Sequence, residues 1–400
     1  MEKLLQYAWQ HRLWDNPEMT TTGGQHLEVL DPGWINTASG PDFFNSKLIL
    51  DGQQWAGNVE IHINASDWFR HGHQDDKAYD SVILHVVSKD DTTVIRADGS
   101  VIPQVVFKPR ASLQELTLKV RDWKGDGLIC SDDIKEIDRL YITDLLDSLA
   151  YERLYSKAER FAGYKDLSDG DYEQALFISL ARALGFGLNN DSLEKVALSV
   201  PLSVFRKHSD SLMTLEAILL GQAGLIPEQE AELLREYDFM KAKFSLSPVK
   251  NLNWKMSGSR PANLPDRRLR LLARILFGGF NKMGELTGCR STAEIASRLL
   301  PEDSGLSESS VNSLIINAVI PAIFCYATER NDEHLIERMT DLLHTIPAEK
   351  NRICRLFGNA GIPIPSAYHS QALIELRTKF CMQRKCIYCR IGNRILRKKG

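Results

Sequence analysis

Apolar and polar positions alternate along much of the first ~110 residues, and beyond about Ser131 a period near 3.6 takes over and lasts almost to the end. The pattern predicts a short amphipathic helix over Leu4–Trp14. Strands follow at His26–Leu30, Lys47–Leu50, Asn58–Ile63, Ser81–Val87, Thr92–Ala97 and Val101–Phe107. Asp51-Gly52 and Asp98-Gly99 sit between strand pairs, and Asp-Gly readily supplies the positive φ angles of a two-residue hairpin turn. The polar stretch between His62 and Ser81 contains Ser66 and Asp76, either of which could cap a short helix. In the later part, apolar stripes at Leu212, Leu215, Ile218, Leu219, at Leu233, Tyr237, Met240, Phe244 and at Leu335, Met339, Leu342, Ile346 predict core-facing helices. Ser247–Pro265 is expected to be a long surface loop, and no internal repeat is evident. These patterns give an α+β class: a mixed-sheet domain over 1–130, a larger all-α domain over 131–374 and a C-terminal segment over 375–400.

The length of 400 residues suits two or three folding units, and 43% apolar with 25% charged residues is ordinary globular composition. Disordered, collagenous and membrane classes are thereby excluded as expectations. The net charge of −3 hides an asymmetry, since residues 376–400 carry nine Lys/Arg and no Asp/Glu. A basic segment follows an acidic body. The N-terminus lacks a continuous apolar stretch suited to a signal peptide. The most apolar run, Leu314–Ala327, is short of a spanning helix and contains Asn317 and Pro321, so it is expected to be a buried core helix with no membrane partner. Seven cysteines are too few for a disulfide scaffold in a chain of this length. The expected setting is the cytoplasm, with thiols reduced or on metal.

Candidate chemistry is densest between Ser39 and Val87. Ser39-Gly-Pro-Asp42 precedes an apolar strand, and Gly57-Asn-Val-Glu-Ile-His62 follows one hairpin later. In an alternating strand Glu60 and His62 share one face and Val59 and Ile61 the other. Phosphodiester hydrolysis needs a strong nucleophile and neutralisation of transition-state charge, and two carboxylates can hold a divalent ion that provides both. The Pro41-Asp42 pair with Glu60 resembles the PD-(D/E)XK nuclease superfamily, in which Pro-Asp and an acidic-x-Lys triplet on adjacent strands meet at one metal site. That resemblance implies Asp42 and Glu60 as ligands of Mg²⁺ or Mn²⁺ and His62, standing at the lysine position, as the group orienting water. The order helix, three strands, helix, strand agrees with the superfamily's core. A histidine there carries only partial charge at neutral pH, so the alternative is a catalytically inactive nucleic-acid-binding or assembly protein that keeps the fold. A purely structural account has Asp42 opening a turn, Glu60 in an ion pair and His62 hydrogen-bonded in the core.

A second cluster, His71, His73, Asp75, Asp76 and His85, offers imidazole and carboxylate ligands suited to Zn²⁺ or Mn²⁺, as a zinc hydrolase would need. A third is Cys381-x4-Cys386-x2-Cys389, three thiols that could share zinc or an iron–sulfur cluster. The fourth ligand is absent locally, and Cys289, Cys325, Cys354 or His369 are the candidates; the other account is helix packing. Some nucleases of the resembled superfamily carry a cysteine-bound cluster near the C-terminus. Arg384, Lys385 and Arg390, with Arg260 and Arg267 in a second basic segment, are expected to contact phosphates of a nucleic-acid partner; protein partners are unknown from the sequence. Gly40-Pro-Asp-Phe43, Val59-Glu-Ile-His62, Ser66-Asp-Trp68, His85-Val-Val87, Arg260-Pro-Ala-Asn263 and Cys386-Ile-Tyr-Cys-Arg-Ile-Gly392 also resemble an uncharacterised bacterial family of unknown function.

Overall fold

The structure, a computed structural model, describes residues 2–14, 19–256 and 264–398. The chain divides into two compact units, one made of residues 1–137 together with 380–400 and the other of 138–379. The sequence-based boundaries fell at 130/131 and 374/375; here the C-terminal segment folds as part of the N-terminal unit.

The first unit is a mixed α+β body. Helix α1 (Glu2–Gln10) buries Leu5, Ala8 and Trp9. A seven-stranded sheet follows from β1 (Met19–Thr20), β2 (His26–Asp31), β3 (Trp34–Ile35), β4 (Phe43–Leu50), β5 (Gln53–Asn64), β6 (Val82–Lys89) and β7 (Gln104–Val106). Its order is β1-β2-β4-β5-β6-β7, with β3 attached to β4. The hairpin β4–β5 turns at Asp51-Gly52, both with positive φ as a two-residue turn requires. β5 then pairs parallel with β6, and β6 parallel with β7. Parallel neighbours need a crossover, and the crossover here holds helix α2 (Asp67–Arg70) and two short 3₁₀ turns, His73–Asp75 and Lys77–Tyr79.

Each face of the sheet has its own core. Val59, Ile61, Leu84 and Val86 pack with Trp9 of α1, Phe107 and Leu113, the last on helix α3 (Ala111–Asp122). On the opposite face a smaller cluster joins Trp68, Tyr79, Val82, Val87, Val94 and Ile102. The expected hairpin over 92–107 is reduced to the bridge Ile95–Val101 around the Asp98-Gly99 turn. Gln104–Val106 instead joins the main sheet beside His85–Val87, where each residue gains a ladder partner and Gln104 and Val105 are buried.

The second unit is helical. Its longest element, α4 (Arg139–Asp166), begins at Asp138, whose carboxylate accepts the Leu140 and Tyr141 amides at 2.8 and 3.4 Å. The stripes at 212–219, 233–240 and 335–346 face the interior as the periodicity implies. Glu308–Glu329 is long and apolar enough to cross a membrane, and 67% of its most apolar window is buried within this fold. It widens to a π-turn at Ile315–Val319 just before Pro321, whose ring cannot accept a normal helical turn behind it.

Gly57 sits at a close approach of β5 to the start of β6: a Cβ there would lie 2.4 Å from Ile83 Cγ2 and 2.9 Å from Ser81 O. Gly57→Ala is therefore expected to destabilise the sheet-bearing unit by about 1–3 kcal/mol. Six of the seven tryptophans lie in that unit, so fluorescence-detected urea unfolding reads it directly. An unchanged midpoint would mean that the two strands are not so closely apposed.

Candidate metal centre

A β-bulge sets the site. Ser46 pairs with Gly57, but Phe43 pairs with Val59, so β4 carries one extra residue, with Asn45 at φ 55°. Without the extra residue Phe43 would stand opposite Glu60; with it Phe43 enters the core and Asp42 stands opposite Glu60. Two hydrogen bonds lock that pairing. The Asp42 amide donates to Glu60 Oε2 at 3.0 Å and the Ile61 amide donates to Asp42 Oδ2 at 3.0 Å, while Gln6 of α1 donates to Asp42 Oδ1 at 2.9 Å. Burial, and next the Glu60 charge, hold the Asp42 carboxyl well above the usual carboxylate range, at about 7.

Glu60 also reaches the histidines. Its Oε1 lies 3.4 Å from His62 Nε2 and 3.3 Å from His73 Nε2. His62 Nε2 is in turn 3.1 Å from His71 Nδ1, and ligand atoms of His62, His71 and His73 all lie within 4.8 Å of one another. His62 is buried, His73 half-buried and His71 exposed, so the trio opens to solvent on the side of the crossover. His73 stacks on Tyr79 with centroids 3.8 Å apart, and its Nε2 is buried without a hydrogen-bond partner. Burial, with Glu60 and Asp42 adding to it, pushes the Tyr79 phenol up to about 12, so it stays protonated beside the two carboxylates.

A hydrogen-bond relay fixes the protons behind the trio. Gln104 Nε2 donates to Asp90 Oδ1 at 2.5 Å and to the Thr92 carbonyl at 3.2 Å, which turns Gln104 Oε1 toward His85 Nδ1 at 2.9 Å. Nδ1 of His85 is then the N–H and its Nε2 the acceptor, 2.9 Å from His62 Nδ1. The network thus assigns His62 the Nδ1–H form, leaving its Nε2 lone pair aimed at His71 and Glu60. Burial, reinforced by the neighbouring imidazoles, lowers His62 to about 2, and burial lowers His85 to about 4. Both rings are neutral at physiological pH. A neutral imidazole oriented by its second nitrogen is the form in which histidine ligates metals. The donor set therefore fits a divalent cation held by His62, His71 and His73, with Glu60 alongside.

The three residues expected from the Pro-Asp and Glu-x-His strings meet here, and His71, His73 and His85 join them. His71 and His73 face the candidate ion, whereas His85 stands behind His62. Asp75 and Asp76 are exposed, and the Asp76 side chain caps the Ala78 amide at 2.9 Å. Sequence reasoning missed Gln6, Asp90 and Gln104, which carry no local motif. Among the basic candidates, Arg384, Lys385 and Arg390 are exposed and belong to this unit; Arg267 belongs to the helical unit, in the first turn of the helix Pro265–Leu276; Arg260 lies outside the described residues. The family model described as "Protein of unknown function (DUF2851)" matches residues 2–302 and 298–352. The chain belongs to the DUF2851 family. No curated protein and no solved structure matches it. Both the bulge and the histidine relay of this DUF2851 protein fall inside the matched residues.

Two measurements check the electrostatics. Nitrogen-15 NMR of the histidine side chains should show Nδ1–H forms for His62 and His85, and Gln104→Ala should mix the forms of both; unaltered tautomers in Gln104→Ala would sink the relay. The Asp42 carboxyl should titrate near 7, and Glu60→Gln should lower that value, because a neutral amide no longer opposes ionisation. An Asp42 titration that stays put in Glu60→Gln would show that burial alone sets it.

Proposed function

We propose that this DUF2851 protein is a metal-dependent nuclease whose centre is formed by Glu60, His62, His71 and His73, with Asp42 as its proton-exchanging neighbour. The observation that carries the reading is the double engagement of Glu60. One oxygen binds the Pro-Asp loop through the Asp42 amide, and the other lies 3.3–3.4 Å from two imidazole nitrogens. The element order also supports it: α1, three antiparallel strands β2, β4 and β5, then α2 and a strand β6 parallel to β5, as the PD-(D/E)XK resemblance implies.

The chemistry of the donors refines the expectation. Imidazoles suit Zn²⁺ or Mn²⁺, whereas Mg²⁺ prefers an all-oxygen shell. His62 in place of lysine is buried and neutral and not a cation, so the positive charge for the transition state would come from a metal held by these residues, which would also lower the pKa of a bound water. Asp42, with a carboxyl near 7, is suited to take up or return a proton at neutral pH. Beside it the exposed aromatics Trp34, 75% accessible, and Phe44 are paired across β3 and β4, and the Asn36 amide donates to the Asp42 carbonyl at 2.7 Å. Exposed aromatics next to a hydrolytic centre offer stacking surfaces for unpaired bases.

Purified protein supplied with Zn²⁺, Mn²⁺ or Mg²⁺ should cleave at least one of single-stranded DNA, duplex DNA or RNA, with Mg²⁺ the poorest. Glu60→Gln and His71→Ala should each lower the rate by at least about 100-fold, more than a supporting residue behind a ligand contributes. Trp34→Ala should weaken substrate binding chiefly for single strands. Binding without cleavage under all three ions would select the silent nucleic-acid-binding protein instead.

A further inference from the structure

The middle of α4 gathers positive charge on one face. Arg153, Lys157, Arg160 and Tyr164 recur at steps of four, three and four residues, so they lie one above another along the helix. Like charges at these spacings repel, and the run costs helix stability unless a negative charge answers it. The helix Tyr172–Ala183 adds a fourth cation, Arg182, and a cavity of about 320 Å³ opens between the two helices, Phe186 and Asn317. Its lining holds these four cations and, among the described residues, no carboxylate.

The carboxylates nearby brace the guanidiniums from outside the lining. Arg153 donates through Nη1 to Glu375 at 3.1 Å and through Nε to Gln371 Oε1 at 2.7 Å, and Arg182 meets Asp191 and Glu194 through Nη1. Each guanidinium thus has N–H donors to spare. Arg160 is exposed and makes no ion pair among the described residues. Lys157 is held differently. Gln371 Nε2 donates to Glu349, which turns Gln371 Oε1 toward Lys157 Nζ at 2.5 Å. The second acceptor of Lys157 Nζ is the Ile316 carbonyl at 3.3 Å. The Ile320 amide donates to the Ile315 carbonyl in the wide register of the π-turn, and in that register Ile316 needs an N–H from Pro321, which has none. Lys157 takes its place. Both acceptors are neutral, and burial, with the Arg153 charge adding to it, holds the Lys157 amine well below its usual range. Satisfying the Ile316 carbonyl explains Lys157 but not the three other cations around the same cavity.

We propose that this cavity of the helical unit binds a small nucleoside phosphate, with Arg153, Arg160 and Arg182 donating to the phosphate, Lys157 adding countercharge and Phe186 stacking on the base. Planar guanidiniums match phosphate oxygens in geometry as well as charge. The cavity is of the size of small-molecule sites, roughly 300–1,000 Å³, and exceeds what a bare ion fills. Phe186 is held for its part: it sits at φ 45°, costly for a side chain of that size, and the following Gly187 amide donates to Asn190 Oδ1 at 2.7 Å. The Arg268 guanidinium lies 4.7 Å from the Phe186 ring centroid and steadies it further. The site shares no residue with the histidine centre and stands whether or not that centre cleaves nucleic acid.

The test titrates the full chain in a calorimeter with AMP, adenosine, ribose phosphate and inorganic phosphate, with chelator present so that no metal-held phosphate contributes. AMP should bind at a single site, at least about tenfold more tightly than adenosine, which lacks the charge, or than ribose phosphate and inorganic phosphate, which lack the base. Arg160→Gln, an exposed substitution with no ion pair to lose, should weaken AMP by about tenfold. Phe186→Leu should narrow the gap between AMP and ribose phosphate, and Arg267→Gln, exposed on the same unit outside the lining, should change nothing. Lys157 stays in place, because its removal strands the Ile316 carbonyl and confounds binding with folding. No binding of AMP at millimolar concentration, adenosine binding as tightly as AMP, or unaltered AMP affinity in Arg160→Gln would each overturn the proposal. Inorganic phosphate binding as tightly as AMP would overturn it as well, by showing a site for the free ion alone.

Discussion

The parallel pairing of β5 with β6 is the constraint on which the candidate site depends. An antiparallel partner could have followed β5 through a two-residue turn, but a parallel one obliges the chain to cross back over the sheet between Asn64 and Val82. That crossover supplies Trp68, His71, His73 and Tyr79, none of which lies on a main strand. The register of the same pairing puts His85 beside Glu60. One strand direction thus decides both what lies over the face and what lies behind it. Gly57 is what allows the two strands to come so close at the start of the pairing.

Given that frame, the electrostatics follow from burial. A charged imidazole at His62 would have to be held out of water with three other histidines nearby, so it is neutral and its lone pair points where the hydrogen-bond relay directs it. Glu60 and Asp42 carry the opposite problem: two carboxyls on adjacent strands share two backbone amides and resist ionising together. The proposed divalent cation would meet both conditions at once, accepting the imidazole lone pairs and offsetting the carboxylate charge.

Much of this was legible in the sequence, and what was not has a physical reason. The Val59/Ile61 against Glu60/His62 alternation set the faces correctly, because one face of β5 packs on α1 and the period of a strand leaves no choice. Asp51-Gly52 marked its turn because the positive φ is a local property. The Asp98-Gly99 turn also formed, but its hairpin did not extend, since Gln104–Val106 pairs with β6 instead, with Gln104 and Val105 buried there. The bulge at Phe43–Ser46 has no such signature, although it is what brings Asp42 opposite Glu60. Gln104 and Asp90 were invisible because Gln104 acts on His85, and Asp90 on Gln104, through contacts that no spacing rule records.

The same asymmetry between local and distant information explains the C-terminal segment. Read alone, Cys381, Cys386 and Cys389 on a run of arginines and lysines suggest a solvated basic tail that lacks one ligand. In the fold, the helix Arg390–Lys398 buries Ile391, Gly392, Ile395 and Leu396, so its basic residues are the polar side of an amphipathic element and not a free arm. The charge asymmetry along the chain is accordingly not an asymmetry between body and tail, because the basic segment is part of the body that holds the acidic site. Cys130 lies 251 positions before Cys381, yet both belong to the sheet-bearing unit, because the chain returns to it from the helical unit. The core contacts of Ile387 and Leu396 anchor the segment's apolar side. Apolar packing therefore anchors a segment too short to hold its own fold.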